Sequence, residues 1–161
     1  MIRMNAPFVS AVCHLQRRVG SLHGELEEIS EEGFIRRENC FVLKSLALAG
    51  TNAKVEDFTD CTGFECFVNH IHIDDFVDDE LIEQAALYIE RVLSMWNKSG
   101  NERPMNAIMS WAEDGVSVRF HLCRPDEQWL MYDLEGYQEG ILEISSSDVG
   151  FFAELRRDPD R

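Results

Sequence analysis

The sequence predicts an α+β fold, in which one antiparallel sheet carries helices packed largely on one face, all within a single domain over residues 1–161. Three observations predict it. Val77, Leu81, Ala85, Tyr88, Val92 and Trp96 recur at helical spacing and mark an amphipathic helix over about residues 76–98. After Pro104 come four short apolar segments joined by turn-forming residues, with Val116, Val118, Phe120 and Leu122 alternating in the second, as in an antiparallel meander. Residues 64–73, rich in Phe, Val and Ile, follow a Thr62, Gly63 pair and end in aspartates, which reads as a further strand. A chain of 161 residues, 45% hydrophobic, can bury roughly two-thirds of its unfolded surface in one core.

The elements follow in order. Phe8, Val12, Leu15 and Val19 keep a helical step after Pro7 and before Gly20, giving a helix over about 7–19. Residues 21–33 hold five glutamates with Leu22, Leu26 and Ile29, a pattern that fits a short exposed helix or an edge strand. Residues 34–50 are equally open, because Phe34, Glu38, Phe41 and Ser45 follow a helical step while Phe41, Leu43 and Ser45 alternate. Within the strand at 64–73 the apolar residues change face near Asn69, which calls for a bulge or for cover on both sides. Asp75 suits the N-cap of the helix after it, with Asp78, Asp79 and Glu80 in the first turn and Ser99, Gly100 as the stop. The meander then runs through MNAIMSW, a turn at 113–115, VSVRFHLC, a turn at 124–126, QWLMYDL and GILEIS, and a short helix follows Ser147.

Charge is the strongest functional signal. Thirty acids against fifteen bases give −15, and the excess is regional. Residues 55–90 carry eleven acids and residues 125–155 eight, with no lysine or arginine in either window. Such a field repels nucleic acid and anionic membrane and attracts basic partners, more weakly as salt rises. No segment approaches the ~18 apolar residues of a membrane helix, and the N-terminal apolar run is too short for a signal-peptide core. Five cysteines with no CxxC pair suit reduced thiols, hence a cytoplasmic location, and lack the ligand spacing of structural zinc.

His70 and His72 would point the same way on a strand, about 6.6 Å apart, close enough for one metal ion. A third ligand has to come from a neighbouring strand, and His121 is the candidate, although it shares a face with Arg119. Ordinary strand histidines outweigh this reading. There is no GxSxG elbow, no P-loop and no dinucleotide glycine pattern, so no catalytic residue and no cofactor is expected. Aromatic residues lie among the acids: Phe76 beside Asp74, Asp75, Asp78 and Asp79, and Tyr137 between Glu135 and Glu139. Partner surfaces combine such anchors with steering charge, and Tyr137 is the preferred contact because it falls in a loop, whereas Trp129 is expected to pack in the sheet.

Through the two base-free acidic windows and the sheet-plus-helix layout, the chain resembles in type the immunity proteins of contact-dependent growth inhibition and related interbacterial toxin systems. No specific motif carries the resemblance. It implies a protein that is not an enzyme and that blocks a cognate basic toxin domain, commonly a nuclease, by covering its cleft. Asp74, Asp75, Phe76, Asp78, Asp79, Glu83, Glu135, Tyr137 and Glu139 are the expected contacts, with no direct nucleic-acid or membrane contact. The alternatives are a metal-dependent hydrolase using His70 and His72, and an acidic mimic of DNA.

Overall fold

The computed structural model describes residues 1–15, 18 and 20–157. The fold is α+β: six α-helices among the described residues, a five-stranded antiparallel sheet and a separate two-stranded one. Its strands are β1 (Ile2–Met4), β2 (Phe34–Arg37), β3 (Cys40–Leu43), β4 (Ile71–His72), β5 (Met105–Ala112), β6 (Gly115–Leu122) and β7 (Gly140–Ser145). The helices are α1 (Ala6–Ala11), α2 (Gly24–Glu32), α3 (Lys44–Leu48), α4 (Cys61–Val68), α5 (Leu81–Lys98) and α6 (Phe151–Arg157). The large sheet runs in the order β1-β7-β5-β6-β4, and β2 pairs with β3 alone.

The sheet's centre is the β5–β6 hairpin, paired from Met105↔Leu122 to Ala112↔Gly115, with β7 against the other side of β5 from Asn106↔Ser145 to Trp111↔Gly140. Alternate residues point to opposite faces. One face presents Met105, Ala107, Met109, Val116, Val118, Phe120, Leu122, Leu142 and Ile144 to the buried stripe of α5, and these form the main core with Phe8, Leu26, Leu43 and Phe152. The hydrophobic effect is the principal driving force here, at about 1.5–3 kcal/mol for each large side chain fully removed from water.

Several expectations are corrected. The strand at 64–73 is instead helix α4 over Cys61–Val68, followed by only two strand residues, Ile71 and His72. Asp60 caps that helix by accepting the Gly63 N–H at 2.7 Å, and Phe64, Cys66 and Val68 are all buried because the helix is enclosed by the β2–β3 hairpin and by β6. The residue it does expose, Phe67, is itself apolar, so the helix shows no polar stripe and its residues mimic strand composition. The expected four-strand meander is instead the β5–β6 hairpin with β7 returning to the far side of β5: QWLMYDL pairs with no strand, and Arg3 Nη1 donates to the carbonyls of Met131 and Tyr132 instead. The long helix begins at Leu81 rather than 76, after Glu80 in the left-handed region (φ 53°), and Asp75 lies in the 3-10 turn Ile73–Asp75 instead of capping it.

Helices α1 and α5 share the main-core face, as expected, while α4 lies on the other. On the second face Cys66 of α4 packs with Ile108, Ile141, Leu130 and Leu134. The first helix is α1, capped by Asn5, then a 3-10 turn Val12–His14, while residues 16, 17 and 19 of the expected span lie outside the described residues. Residues 21–50 resolve as helix, hairpin and helix. Not every cysteine is a thiol: Cys40 and Cys61 form a disulfide that ties β3 to the start of α4, and Cys13, Cys66 and Cys123 are free.

Candidate functional site

One end of the large sheet gathers three chain segments. Here β4 runs out into residues 73–80, the tight turn 113–114 joins β5 to β6, and residues 133–139 lead into β7. These segments bring Asp74, Asp75, Asp78, Asp79, Glu80, Glu113, Asp114, Asp133, Glu135 and Glu139 to that end, with no lysine or arginine among them. Members of both base-free windows meet directly around a cavity of about 390 Å³, lined by His72, Asp74, Ser110, Asp114, Ser117 and Glu139 among others.

Backbone chemistry places these acids. Asp74 Oδ1 accepts the Val116 N–H at 3.2 Å, and it comes so near Gly115 that a Cβ there would lie 2.4 Å from it. Only glycine leaves that approach open. Asn5 is buried and uses its whole amide: Nδ2 donates to the carbonyls of Leu134 and Glu139, and Oδ1 accepts the N–H groups of Phe8 and Ile141. This fixes both ends of the 134–141 segment to the start of α1. Glu135 Oε1 accepts the Ala6 N–H at 2.9 Å, and Asp133 Oδ1 accepts the Glu135 N–H at 3.0 Å.

Not all of the windows' charge reaches this surface. Glu65 is buried against Arg124, Glu83 and Glu90 bind Arg156, Glu127 lies 3.7 Å from Arg124, and Glu143 pairs with Arg3. Burial alone would raise the Glu143 carboxyl, but His121 and Arg3 beside it outweigh that and hold it below its ordinary value. For Glu90 burial prevails over Arg156, and its carboxyl sits above the usual range.

The expected contact residues therefore divide. Asp74, Asp75, Asp78, Asp79 and Glu135 are exposed, and Glu139 is half-buried at the cavity. Glu83 is corrected: it is 2% exposed and bound to Arg156, because it falls on the inward side of α5. Phe76 is half-buried and packs on the main core. Tyr137 is half-buried too, packed on the second face with its hydroxyl accepting the Met131 N–H at 3.1 Å. It props the loop that carries the exposed aromatic residues. Those are Tyr132, 92% exposed, and Trp129, which lies over the Arg119 guanidinium at 5.1 Å rather than within the sheet. With Met131 they make an exposed ledge beside Asp133 and Glu135. A strand over QWLMYDL gives no reason to single out Tyr132.

The histidines do not converge as a metal site would require. The rings of His70 and His72 stand 4.6 Å apart, but His72 pairs with Ser117, four residues along β6 from His121. His121 is buried, with Nδ1 3.1 Å from the Leu122 carbonyl and Nε2 3.7 Å from Glu143, too long for a hydrogen bond. Burial first, then the charge of Arg119 and of His72, lowers the His70 pKa to about 4. Among the described residues no three His, Cys, Asp or Glu side chains form a group able to hold a metal ion. Nor is any helix long and apolar enough to cross a membrane, among the same residues.

Comparison with known proteins gives a family. The model of a family described as the Uncharacterized protein PM0498 family matches residues 3–155. The Uncharacterized protein PM0498 of Pasteurella multocida (strain Pm70) is 23% identical over 120 residues, which cover 68% of this chain and 76% of that protein. No solved structure matches.

Proposed function

Starting from a chain that belongs to the PM0498 family, we propose that it is an immunity-type inhibitor that docks the acidic end of its sheet onto a basic partner domain, in the manner of a protein blocking a nuclease toxin. The observation that carries this reading is the meeting of the two base-free windows at that end, next to the ledge of Trp129, Met131 and Tyr132. Asp75, Asp78, Asp79 and Glu135 would pair with lysine and arginine on the partner, where charge-assisted hydrogen bonds are the strong ones. Long-range attraction would speed and orient the encounter, and the ledge would exclude water once contact is made.

The proposal carries a cytoplasmic location with it. There Cys40 and Cys61 would stand as thiols. The acidic end is built from other segments and does not depend on that bond.

The test is a search for a basic domain encoded beside this chain's gene, followed by titration against it at low and at raised salt. Submicromolar binding is expected, weakening at least about ten-fold with salt and again in an Asp75→Asn, Asp78→Asn, Asp79→Asn, Glu135→Gln variant. Absence of any basic partner, or binding indifferent to both salt and the variant, would refute the proposal.

A further inference from the structure

The opposite end of the sheet has the reverse character. A cavity of about 640 Å³ opens there, and Arg36, Phe41, Trp96, Arg103, Leu122 and Arg124 are among its lining residues. It lies some 23 Å from the acidic end, seven strand steps along β6. In a chain with half as many bases as acids, three arginines share this one cavity, and Glu102 is the single acid lining it. From these features we infer that the cavity is a binding site for a small molecule that joins a phosphate or carboxylate group to a planar ring.

Each part of that ligand has a counterpart. Arg124 is fixed before any ligand arrives, because Glu65 binds both of its Nη atoms and Nη2 also donates to the Asn39 carbonyl. Its charge is largely spent on Glu65. Arg36 donates to the Glu38 carbonyl and to Asn39 Oδ1, groups without net charge, and neither Arg36 nor Arg103 pairs with a carboxylate among the described residues. Those two guanidinium groups are the anion's partners, and the guanidinium fork suits a phosphate or carboxylate better than an ammonium would. The ring has Phe41, which packs edge-on against Trp96 at 5.1 Å, and the flat faces of the arginines themselves.

The walls are braced. Trp96 Nε1 donates to the Arg103 carbonyl at 2.9 Å, and Asn69, the cap at the end of α4, accepts the Leu43 N–H and donates to the Phe41 carbonyl, which ties the hairpin bearing Arg36, Asn39 and Phe41 to α4 whatever the state of Cys40 and Cys61. The volume falls in the range of small-molecule sites, roughly 300–1,000 Å³. At physiological ionic strength the acidic end is beyond the screening distance of about 8 Å. The nearer acids, Glu31 and Glu32, line the adjoining cavity that shares Arg36 and Phe41 and, among the described residues, form no ion pair with Arg36 or Arg103. A polyanion would still meet the molecule's −15 overall, which favours a ligand of one or two charges over a nucleic acid.

The experiment is calorimetric titration of the whole protein with adenosine 5′-monophosphate, with benzoate, and with uncharged adenosine. At least one anionic probe should bind, and adenosine should bind at least about ten-fold more weakly than the phosphate form. Which anionic probe wins separates a phosphate ligand from a carboxylate one. Arg36→Gln with Arg103→Gln, both at exposed positions, should weaken that binding at least about ten-fold with thermal stability unchanged. The acidic-end variant above should bind the probe like the unaltered protein. No binding of any anionic probe up to about 10 mM, adenosine binding equal to the phosphate form, or full binding by the arginine double variant would overturn the inference.

Discussion

Replacing Glu65 by glutamine tests the reasoning about buried charge most severely. Glu65 is 0% exposed, and its two oxygens accept four donors: Phe41 N–H at 2.7 Å and Arg124 Nη2 at 2.7 Å on one, Leu122 N–H at 2.7 Å and Arg124 Nη1 at 2.9 Å on the other. Burial alone would lower the Arg124 pKa, and the hydrogen bonds and charge of Glu65 reverse that, leaving it raised. Glutamine keeps the size but turns an NH2 group toward donors on one side and removes the counter-charge of a partly buried guanidinium. Breaking one partner of a buried pair costs about 3–5 kcal/mol. That is a large share of the 5–15 kcal/mol by which a domain is stable. Urea unfolding followed by tryptophan fluorescence measures it, and Arg124→Met completes a double-mutant cycle. The double variant should lose clearly less than the sum of the two single changes. A loss under about 1 kcal/mol for Glu65→Gln, or simple additivity, would refute the account of this pair.

Other outcomes follow from the same structure. His70 is held neutral, with a pKa lowered from 6.5 to about 4, so the folded state binds fewer protons than the unfolded one as pH falls through 6.5. Its contribution is complete above about pH 6.5 and lost toward pH 4. After allowing for solvent screening, the unaltered protein should lose about 1 kcal/mol more than His70→Gln between pH 7.5 and 5, by urea unfolding at each pH. Reducing Cys40–Cys61, which are 21 residues apart in sequence, should lower stability by about 3 kcal/mol, seen as a drop in the urea midpoint with dithiothreitol that Cys40→Ala, Cys61→Ala no longer shows. Tyr132→Ala should leave thermal stability within about 0.5 kcal/mol, since the side chain is 92% exposed, yet weaken binding of the basic partner about ten-fold or more.

The long helix and β6 are legible because their apolar residues keep a regular step: along β6 Val116, Val118 and Phe120 are buried while Ser117 and Arg119 are partly exposed, and along the second half of α5 Val92, Leu93 and Trp96 are buried while Asn97 and Lys98 are exposed. Where that contrast is missing, the reading failed. Helix α4 turns the apolar Phe67 to solvent and the polar Glu65 inward, and the pointer to it is Asp60, whose side chain reaches Gly63 three residues on. QWLMYDL is apolar and aromatic enough for a strand, with Trp129 to Tyr132 in a row, but its Trp129 rests on Arg119 and its Tyr132 lies in water, contacts set by residues distant in sequence. In residues 34–50 the helical step from Phe34 through Glu38 to Phe41 is coincidence, since those residues form the β2–β3 hairpin, and the helix starts only at Lys44. The concentration of acids was visible in the sequence, but its arrival at one end depends on strand directions. The arginine cavity left no trace there, because its lining comes from residues 36–41, 96–103 and 122–124.

The opposed ends give the molecule an electrical axis along its strands. Ten carboxylates lie toward the Gly115 end of β6, and the cavity with Arg36, Arg103 and Arg124 lies toward the Leu122 end. A body so polarised feels a torque near any charged surface, so it will settle upright on an anion-exchange matrix with its guanidinium pole facing the solvent. Anything recognised at that pole stays accessible while the other is engaged, and two occupants of opposite sign could be held at once without competing for space.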